Sequence, residues 1–357
     1  MTAAYLNRVG HAVPPHDVHQ TFIAFAERML ATNRDRALFR RMAERGQIEH
    51  RWSALRPNPS RAAGASVDDG DFFRPGAFPS TGARMIRYEE TAPALAEEAV
   101  RALDLEGRES EVTHLIVVTC TGFMAPGLDL LLVDRLGLRP DIERTVVGFM
   151  GCHAAMNALR LARHVVRSEP SARVLVVSVE LCTLHLQESA DLEQVLSFLV
   201  FGDGAAAALV SGEPHGLALD AFQTILVSED PGLITWSVRD AGFDMVLSGK
   251  VPGALRGALE TRSGRFTENA DAPIEHWAVH PGGRSVLDAV EAAFRLPAQA
   301  LGASRAVLRE FGNMSSATIL FVLARMMAAG REGPGLAMAF GPGLTAETMR
   351  FRLVGGP

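Results

Sequence analysis

A layered α/β domain is what this 357-residue sequence predicts, and three observations predict it. Short apolar runs rich in β-branched residues recur along the chain, the pattern of strands buried on both faces. Segments with apolar residues at helical spacing stand between them. The same succession appears in the first and the second part of the chain, so a mainly buried sheet covered by helices is expected in each.

The elements follow in order. Residues 17–52, DVHQTFIAFAERMLATNRDRALFRRMAERGQIEHRW, form an amphipathic, arginine-rich helical stretch. RPNPSRAAGASVDDGDFFRPGAFPSTGAR reads as a long loop, because proline and glycine break both helix and strand periods. A helix is expected near Thr91 to Leu103. THLIVVTCTG, ARVLVVSVEL and DGAAAALVSG are strands, and the helix between the first two starts at Cys152. In the second part ALDAFQTILVS, HWAVHPGG, GLAMAFGPG and ETMRFRLVG are strands, while SVLDAVEAAF and SSATILFVLARMMAAG are helices. The two halves divide at 1–212 and 213–357, on element order alone.

Composition narrows the classes. Charged residues make up 21% and hydrophobic ones 48%, and the net charge of −6 gives nucleic acid no footing. Cys120, Cys152 and Cys182 are odd in number and contain no CxxC, which argues against a disulfide framework or a zinc site. No signal-type apolar core opens the chain and no apolar run reaches the ~20 residues of a bilayer span. A cytoplasmic protein without a membrane span or a bound metal is expected.

Cys152 follows a glycine and precedes a helix pattern, where backbone N–H groups and the helix dipole favour a thiolate. His280 in WAVHPGGRS and Asn313 in FGNMSSAT sit at similar junctions. A histidine beside the cysteine would take its proton and leave a thiolate–imidazolium pair. Imidazolium and amide would then donate to an oxygen gaining negative charge. His153 adjoins the nucleophile but faces elsewhere on a helix, so it reads as packed. His11, His16 and His19 read as a solvated loop.

GFMGCHAAMNALRLA, WAVHPGG, FGNMSSAT, FGDGAAAALV and AFGPGLTAE, in this order, resemble the type III polyketide synthases, chalcone-synthase-like condensing enzymes of bacterial type. The resemblance implies a thiolase-like αβαβα architecture of two similar halves. It implies that Cys152 carries the starter and the growing chain as a thioester. His280 and Asn313 would polarise malonyl-CoA and stabilise the enolate left by decarboxylation. Phe201 matches one aromatic framing the neck of the cavity, and Met245 stands where the second is expected. Arg41 and Arg45 match two CoA-phosphate cations, a third position is Leu38, and Arg36 or Arg40 would substitute for it. Gly282 and Gly283 would lie under CoA. Pro342 and Gly343 would line the cyclisation pocket.

By the same resemblance Cys120, Cys182, His185, Leu247 and Ser315 line the substrate cavity, and Glu180, Cys120 and Ser315 occupy the positions of a relay that affects ring closure. CoA thioesters are substrates, so no organic cofactor is expected. A homodimer is implied, with Ala125 of CTGFMAPG reaching the partner's cavity. The implied activity is decarboxylative condensation of malonyl-CoA onto an acyl-CoA starter, with a fatty starter and an alkylpyrone or alkylresorcinol product. The alternatives are a malonyl-primed tetrahydroxynaphthalene synthase, a ketoacyl-ACP synthase III-like enzyme and a catalytically silent scaffold.

Overall fold

The computed structural model describes residues 2–60, 62, 64–227, 230–267 and 273–355. The first half runs β1 (Tyr5–Ala12), β2 (His16–Asp17), α1 (His19–Met29), α2 (Asn33–Gly46), β3 (Trp52–Ser53), α3 (Thr81–Leu103), β4 (His114–Thr119), α4 (Leu128–Leu136), β5 (Glu143–Gly148), α5 (Ala154–Ser168), β6 (Val174–Leu181), α6 (Leu192–Phe198) and β7 (Asp203–Ser211). The second runs β8 (Gly216–Leu226), β9 (Ile234–Arg239), β10 (Gly242–Leu247), α7 (Val251–Thr267), β11 (His276–Val279), α8 (Arg284–Phe294), α9 (Gly302–Phe311), α10 (Thr318–Ala329), β12 (Gly333–Gly341) and β13 (Thr345–Val354).

Nine strands share one hydrogen-bonded order, β11-β12-β13-β8-β1-β7-β6-β4-β5. Its two parts repeat. β4 is parallel to β6, β6 antiparallel to β7, and β7 antiparallel to β1. β11, β12, β13 and β8 follow with the same senses. The parts of the sheet join through the β1–β8 pairs Tyr5–Ala218 and Leu6–Leu217 and the Leu219 N–H donated to the Ala4 carbonyl at 2.9 Å. A helix precedes the matching parallel strand in each half, α5 before β6 and α10 before β12.

Strand alternation makes the layers, since successive side chains point to opposite faces. Ile116, Val118, Val174 and Val176 pack on one face with α5 and α10 residues such as Met156, Leu159, Ile319 and Leu323. Ala278, Ala337 and Ala339 of the second half join that cluster, and their small side chains let the central helices approach closely. Leu115, Val117, Leu175 and Val177 face the other way, against α3 and α4. Trp277, Val279, Leu336 and Met338 face α7, α8 and α9. The result is helix, sheet, paired central helices, sheet, helix, as the thiolase-like expectation requires.

Three elements differ from the sequence reading. The amphipathic stretch is two helices, because Leu30 is extended and Thr32 caps α2 by accepting the Asp35 N–H at 3.0 Å. α3 begins at Thr81 rather than Thr91, capped by Ser80. β1 has a mixed polar sequence, YLNRVGHA, and exists because β7 pairs with it from Tyr5–Ser211 to Ala12–Ala205. The histidines are not a solvated loop: His11 stacks on Phe321 at 4.3 Å, and buried His19 accepts a hydrogen bond from Arg51.

Candidate active site

The second member of each repeated helix pair opens on a tight 3-10 turn, and the chemistry sits there. Gly151–His153 leads into α5, and Ser315–Ala317 leads into α10. Gly151 is required at its position. Its φ is +76°, and a Cβ there would lie 2.3 Å from the Pro342 ring. This packing of the Cys152 turn against the β12–β13 turn brings Pro342 of the second half beside the cysteine.

Asn313 arrives by a different route. Its backbone N–H donates to the Val200 carbonyl at 2.8 Å, and the Gly202 N–H donates to the Asn313 carbonyl at 3.0 Å. This strand-like bridge ties Phe201 to Asn313. The Asn313 Oδ1 accepts the Ser315 N–H at 2.9 Å, and its amide N–H groups reach the Gly282 carbonyl at 3.3 Å and the Cys152 thiol. The Ser315 hydroxyl also bonds that thiol. His280 follows β11, its N–H held by the Met338 carbonyl, and only 1% of its surface is exposed. Among the described residues neither of its ring nitrogens has a hydrogen-bond partner. Buried polar atoms are almost always satisfied, so these two call for a ligand, with an oxygen to accept from the ring N–H.

Electrostatics correct one expectation. Burial pushes the Cys152 thiol up to about 11, against the Ser315 and Asn313 hydrogen bonds that lower it. Burial also lowers His280 to about 3. Both shifts disfavour a thiolate–imidazolium pair before substrate binds, because desolvation of each group opposes the turn's dipole.

Cys120, Thr121, Cys152, Cys182, Phe198, Phe201, Ile234, Trp236, Met245, Ser315 and Pro342 line a narrow cavity at the cysteine, with about 20 Å³ open to the centre of a water-sized sphere. Ile234, Trp236 and Phe198 escaped the sequence reading. Trp236 and Met245 are direct partners across the β9–β10 hairpin, and Trp236 donates to the Cys120 carbonyl at 2.7 Å. The Asp244/Ser237 pairing outside them is polar, so alternation in GFDMVL was the available signal.

The remaining expected positions behave differently. His185 does not face the cavity. Its Nε2 bonds the Thr121 carbonyl at 2.7 Å, its Nδ1 accepts the Phe243 N–H at 3.0 Å, and its ring stacks on Phe243. Those bonds fix the tautomer and leave no nitrogen for substrate. Leu247 packs instead into the cluster around α7 and α8. Gly343 lies behind Pro342, donating to the Ile234 carbonyl. The Glu180 relay is not formed from Cys120 and Ser315. Glu180 accepts the Thr121 hydroxyl at 2.8 Å, the Ser316 hydroxyl, and the backbone N–H of Cys120 at 2.9 Å. The Cys120 sulfur accepts the Gly151 N–H at 3.0 Å.

Both halves of the chain match family models, residues 2–214 that of the chalcone and stilbene synthases' N-terminal domain and residues 218–355 that of their C-terminal domain. The chain is a type III polyketide synthase of the chalcone and stilbene synthase family. This acyl-transferring condensing enzyme is 35% identical, over 75% of its own length and 72% of the relative's, to the "alpha-pyrone synthesis polyketide synthase-like Pks18" of Mycobacterium tuberculosis. The polyketide synthase also superposes on solved structures across 99% of both chains. One is PKS-I from the brown alga Ectocarpus siliculosus, with a TM-score of 0.87 and 27% identity. Another is the C-terminal type III domain of Steely1 from Dictyostelium, with 0.86 and 23%.

The basic residues of this polyketide synthase are arranged on α2. Arg41 and Arg45 are exposed and no carboxylate pairs with either among the described residues. Arg40 is held by Glu27 at 2.5 Å, and Arg36 bonds the Leu30 carbonyl, so neither is free to replace the missing third cation. The carbonyl of Arg45 accepts the Arg284 guanidinium at 3.0 Å, which joins the end of α2 to the His280–Gly282–Gly283 turn. Arg51, fully buried, donates to the Phe198 and Phe201 carbonyls at 2.9 and 3.0 Å and to His19 at 2.9 Å. It thereby fixes the backbone of Phe201 at the neck and of Phe198 in the cavity wall. No described helix is long and apolar enough to cross a membrane.

Proposed function

We propose that the enzyme extends a fatty acyl-CoA starter with malonyl-CoA and closes the product as an alkylpyrone. Cys152 carries the acyl chain. His280 and Asn313 donate to the malonyl thioester oxygen, which becomes the enolate oxygen once carbon dioxide leaves. The observation that carries the assignment is buried His280 with both ring nitrogens unpartnered, two residues before the Gly282 carbonyl that accepts from the Asn313 amide, which also reaches Cys152. A neutral imidazole is the right form for donating one hydrogen bond without surrendering a proton. The CoA thioester supplies its own leaving group, so no organic cofactor enters.

The product class rests on two supports. The cavity walls are apolar apart from Thr121 and Ser315. A buried methylene contributes about 0.8 kcal/mol, so such walls favour a long tail over acetyl or malonyl priming. The tail enters by displacing Met245, whose unbranched side chain repacks easily. Second, Glu180 accepts hydrogen bonds from the Thr121 and Ser316 hydroxyls rather than from the side chains of Cys120 and Ser315, the positions of the expected ring-closure relay, which favours lactone closure over an aldol route. Arg41 and Arg45 bind the CoA phosphates, and Gly282 and Gly283 let the pantetheine arm pass close to the backbone.

Incubation with acetyl- to palmitoyl-CoA plus malonyl-CoA, with products identified by mass spectrometry, tests this. Triketide and tetraketide pyrones from long starters are expected, with no product from Cys152→Ser. A naphthol from malonyl-CoA alone, with long starters not incorporated, would replace this reading with the malonyl-primed one. In Asn313→Ala, malonyl-CoA decarboxylation should fall by roughly 10²–10³.

A further inference from the structure

Helix α2 presents a second kind of surface, on the helix whose end is bonded to Arg284 beside the His280 turn. Arg34, Leu38, Arg41, Met42 and Arg45 fall within an arc of about 100° on the helix, away from buried Phe39 and Ala43. Leu38 and Met42 are each 43% exposed, unusual for large apolar side chains that nothing covers. No carboxylate pairs with the three arginines among the described residues. The acidic residues of this helix lie elsewhere. Asp35 is engaged by the Thr32 hydroxyl at 2.7 Å, and Glu44 lies outside the arc. The face ends at Arg45, whose carbonyl holds Arg284 beside the His280 turn.

CoA phosphates account for Arg41 and Arg45. They do not account for Arg34, about 16 Å up the helix axis from Arg45, nor for two apolar side chains between cations. Apolar anchors ringed by unpaired positive charge are the pattern of a protein interface for an acidic partner. A membrane is the poorer fit, because two half-exposed side chains interleaved with arginines make no continuous apolar face to insert.

We propose that this face docks an acidic acyl carrier protein, which delivers the starter as a phosphopantetheine thioester to the mouth that also admits acyl-CoA. The proposal rests on the condensing function above and adds a second donor to it. Arg34, Arg41 and Arg45 meet the carrier's acidic side chains, Leu38 and Met42 meet an apolar residue among them, and the arm enters past Arg284 toward Cys152.

The test compares one decanoyl chain on CoA and on a purified bacterial fatty-acid carrier protein, at low salt and at 0.5 M salt, where charge pairing is screened at about 4 Å. Wild-type enzyme should use both donors, and salt should depress the carrier-bound one more. Leu38→Ser/Met42→Ser and Arg34→Glu should each lower kcat/KM for decanoyl-carrier tenfold or more, with decanoyl-CoA changed less than twofold. Equal losses for both donors would overturn the docking face, as would decanoyl-carrier used no better than decanoyl-pantetheine. Retention on phosphatidylglycerol vesicles that Leu38→Ser/Met42→Ser abolishes, without carrier use, would assign the face to a membrane instead. Absence of product from decanoyl-CoA itself would defeat the condensing function, a separate outcome.

Discussion

Cys152 meets its substrate as a thiol. With its acidity held near pH 11 by burial, about one thiol in a thousand is ionised at pH 8. Alkylation by iodoacetamide in the absence of thioester is expected to rise about tenfold per pH unit from pH 7 to 10. A plateau between pH 6 and 9 would instead reveal a preformed thiolate–imidazolium pair. The same scale shows where residue-by-residue reading succeeds and slips. Cys152 and His280 stand in strand-to-helix junctions and Asn313 between α9 and the turn into α10, each with neighbours that a linear motif can mark. The Glu180 partners were missed by one residue each, Thr121 for Cys120 and Ser316 for Ser315. Consecutive residues in strands and tight turns point in different directions, and a one-dimensional motif carries no direction.

Elements set what those residues can reach. The α2 helix lies against the His280 turn through Arg284, so its free arginines face an arriving anion. Replacing Arg41 and Arg45 together by Ala should raise KM for acyl-CoA about tenfold while kcat falls less than threefold. An unchanged KM would return both to an ordinary solvated face. The segment Phe198–Phe201 hangs on the Arg51 guanidinium. Arg51→Lys loses the guanidinium that holds the two carbonyls through Nη1 and His19 through Nε at once, a destabilisation of about 1–3 kcal/mol. Thermal unfolding should register that loss, and starter-length selectivity should broaden as the neck loosens. Product ratios identical to wild type across the starter panel would leave Arg51 a packing role only. The β9–β10 hairpin was illegible in the sequence. It pairs only with itself, so nothing but its inward alternation marks it, and it supplies Ile234 and Trp236 to the cavity.

At the scale of the whole molecule, one edge is unfinished. β5 closes the sheet order with its other side unpaired, and five of its six residues are exposed. Val146, Phe123 and Met150 around it are 53%, 49% and 40% exposed, and exposed Ala125 projects from the adjoining loop. Open strand edges with apolar side chains invite pairing, and a second copy of the chain supplies the matching surface. Light scattering at micromolar concentration should give about twice the chain mass of 38.3 kDa. Val146→Asp should shift that toward the monomer. A monomeric wild type would rule the homodimer out.

Periodicity and local punctuation by themselves determined the alternation of buried strands and helices and its recurrence in both parts of the chain, while Cys152, His280 and Asn313 were marked by the motifs around them and the family those motifs resemble. These are local properties, written in spacing, glycine placement and apolar content. Only the tertiary structure decided which residues wall the cavity, which hydroxyls hold Glu180, and in which direction burial moves the acidity of the cysteine. β1 exists through β7, Pro342 seats on Gly151 from the other half, and the acidity of Cys152 follows from the groups packed around it. Each depends on groups brought together across the chain, and the energy of burial belongs to that assembled environment rather than to any stretch of sequence.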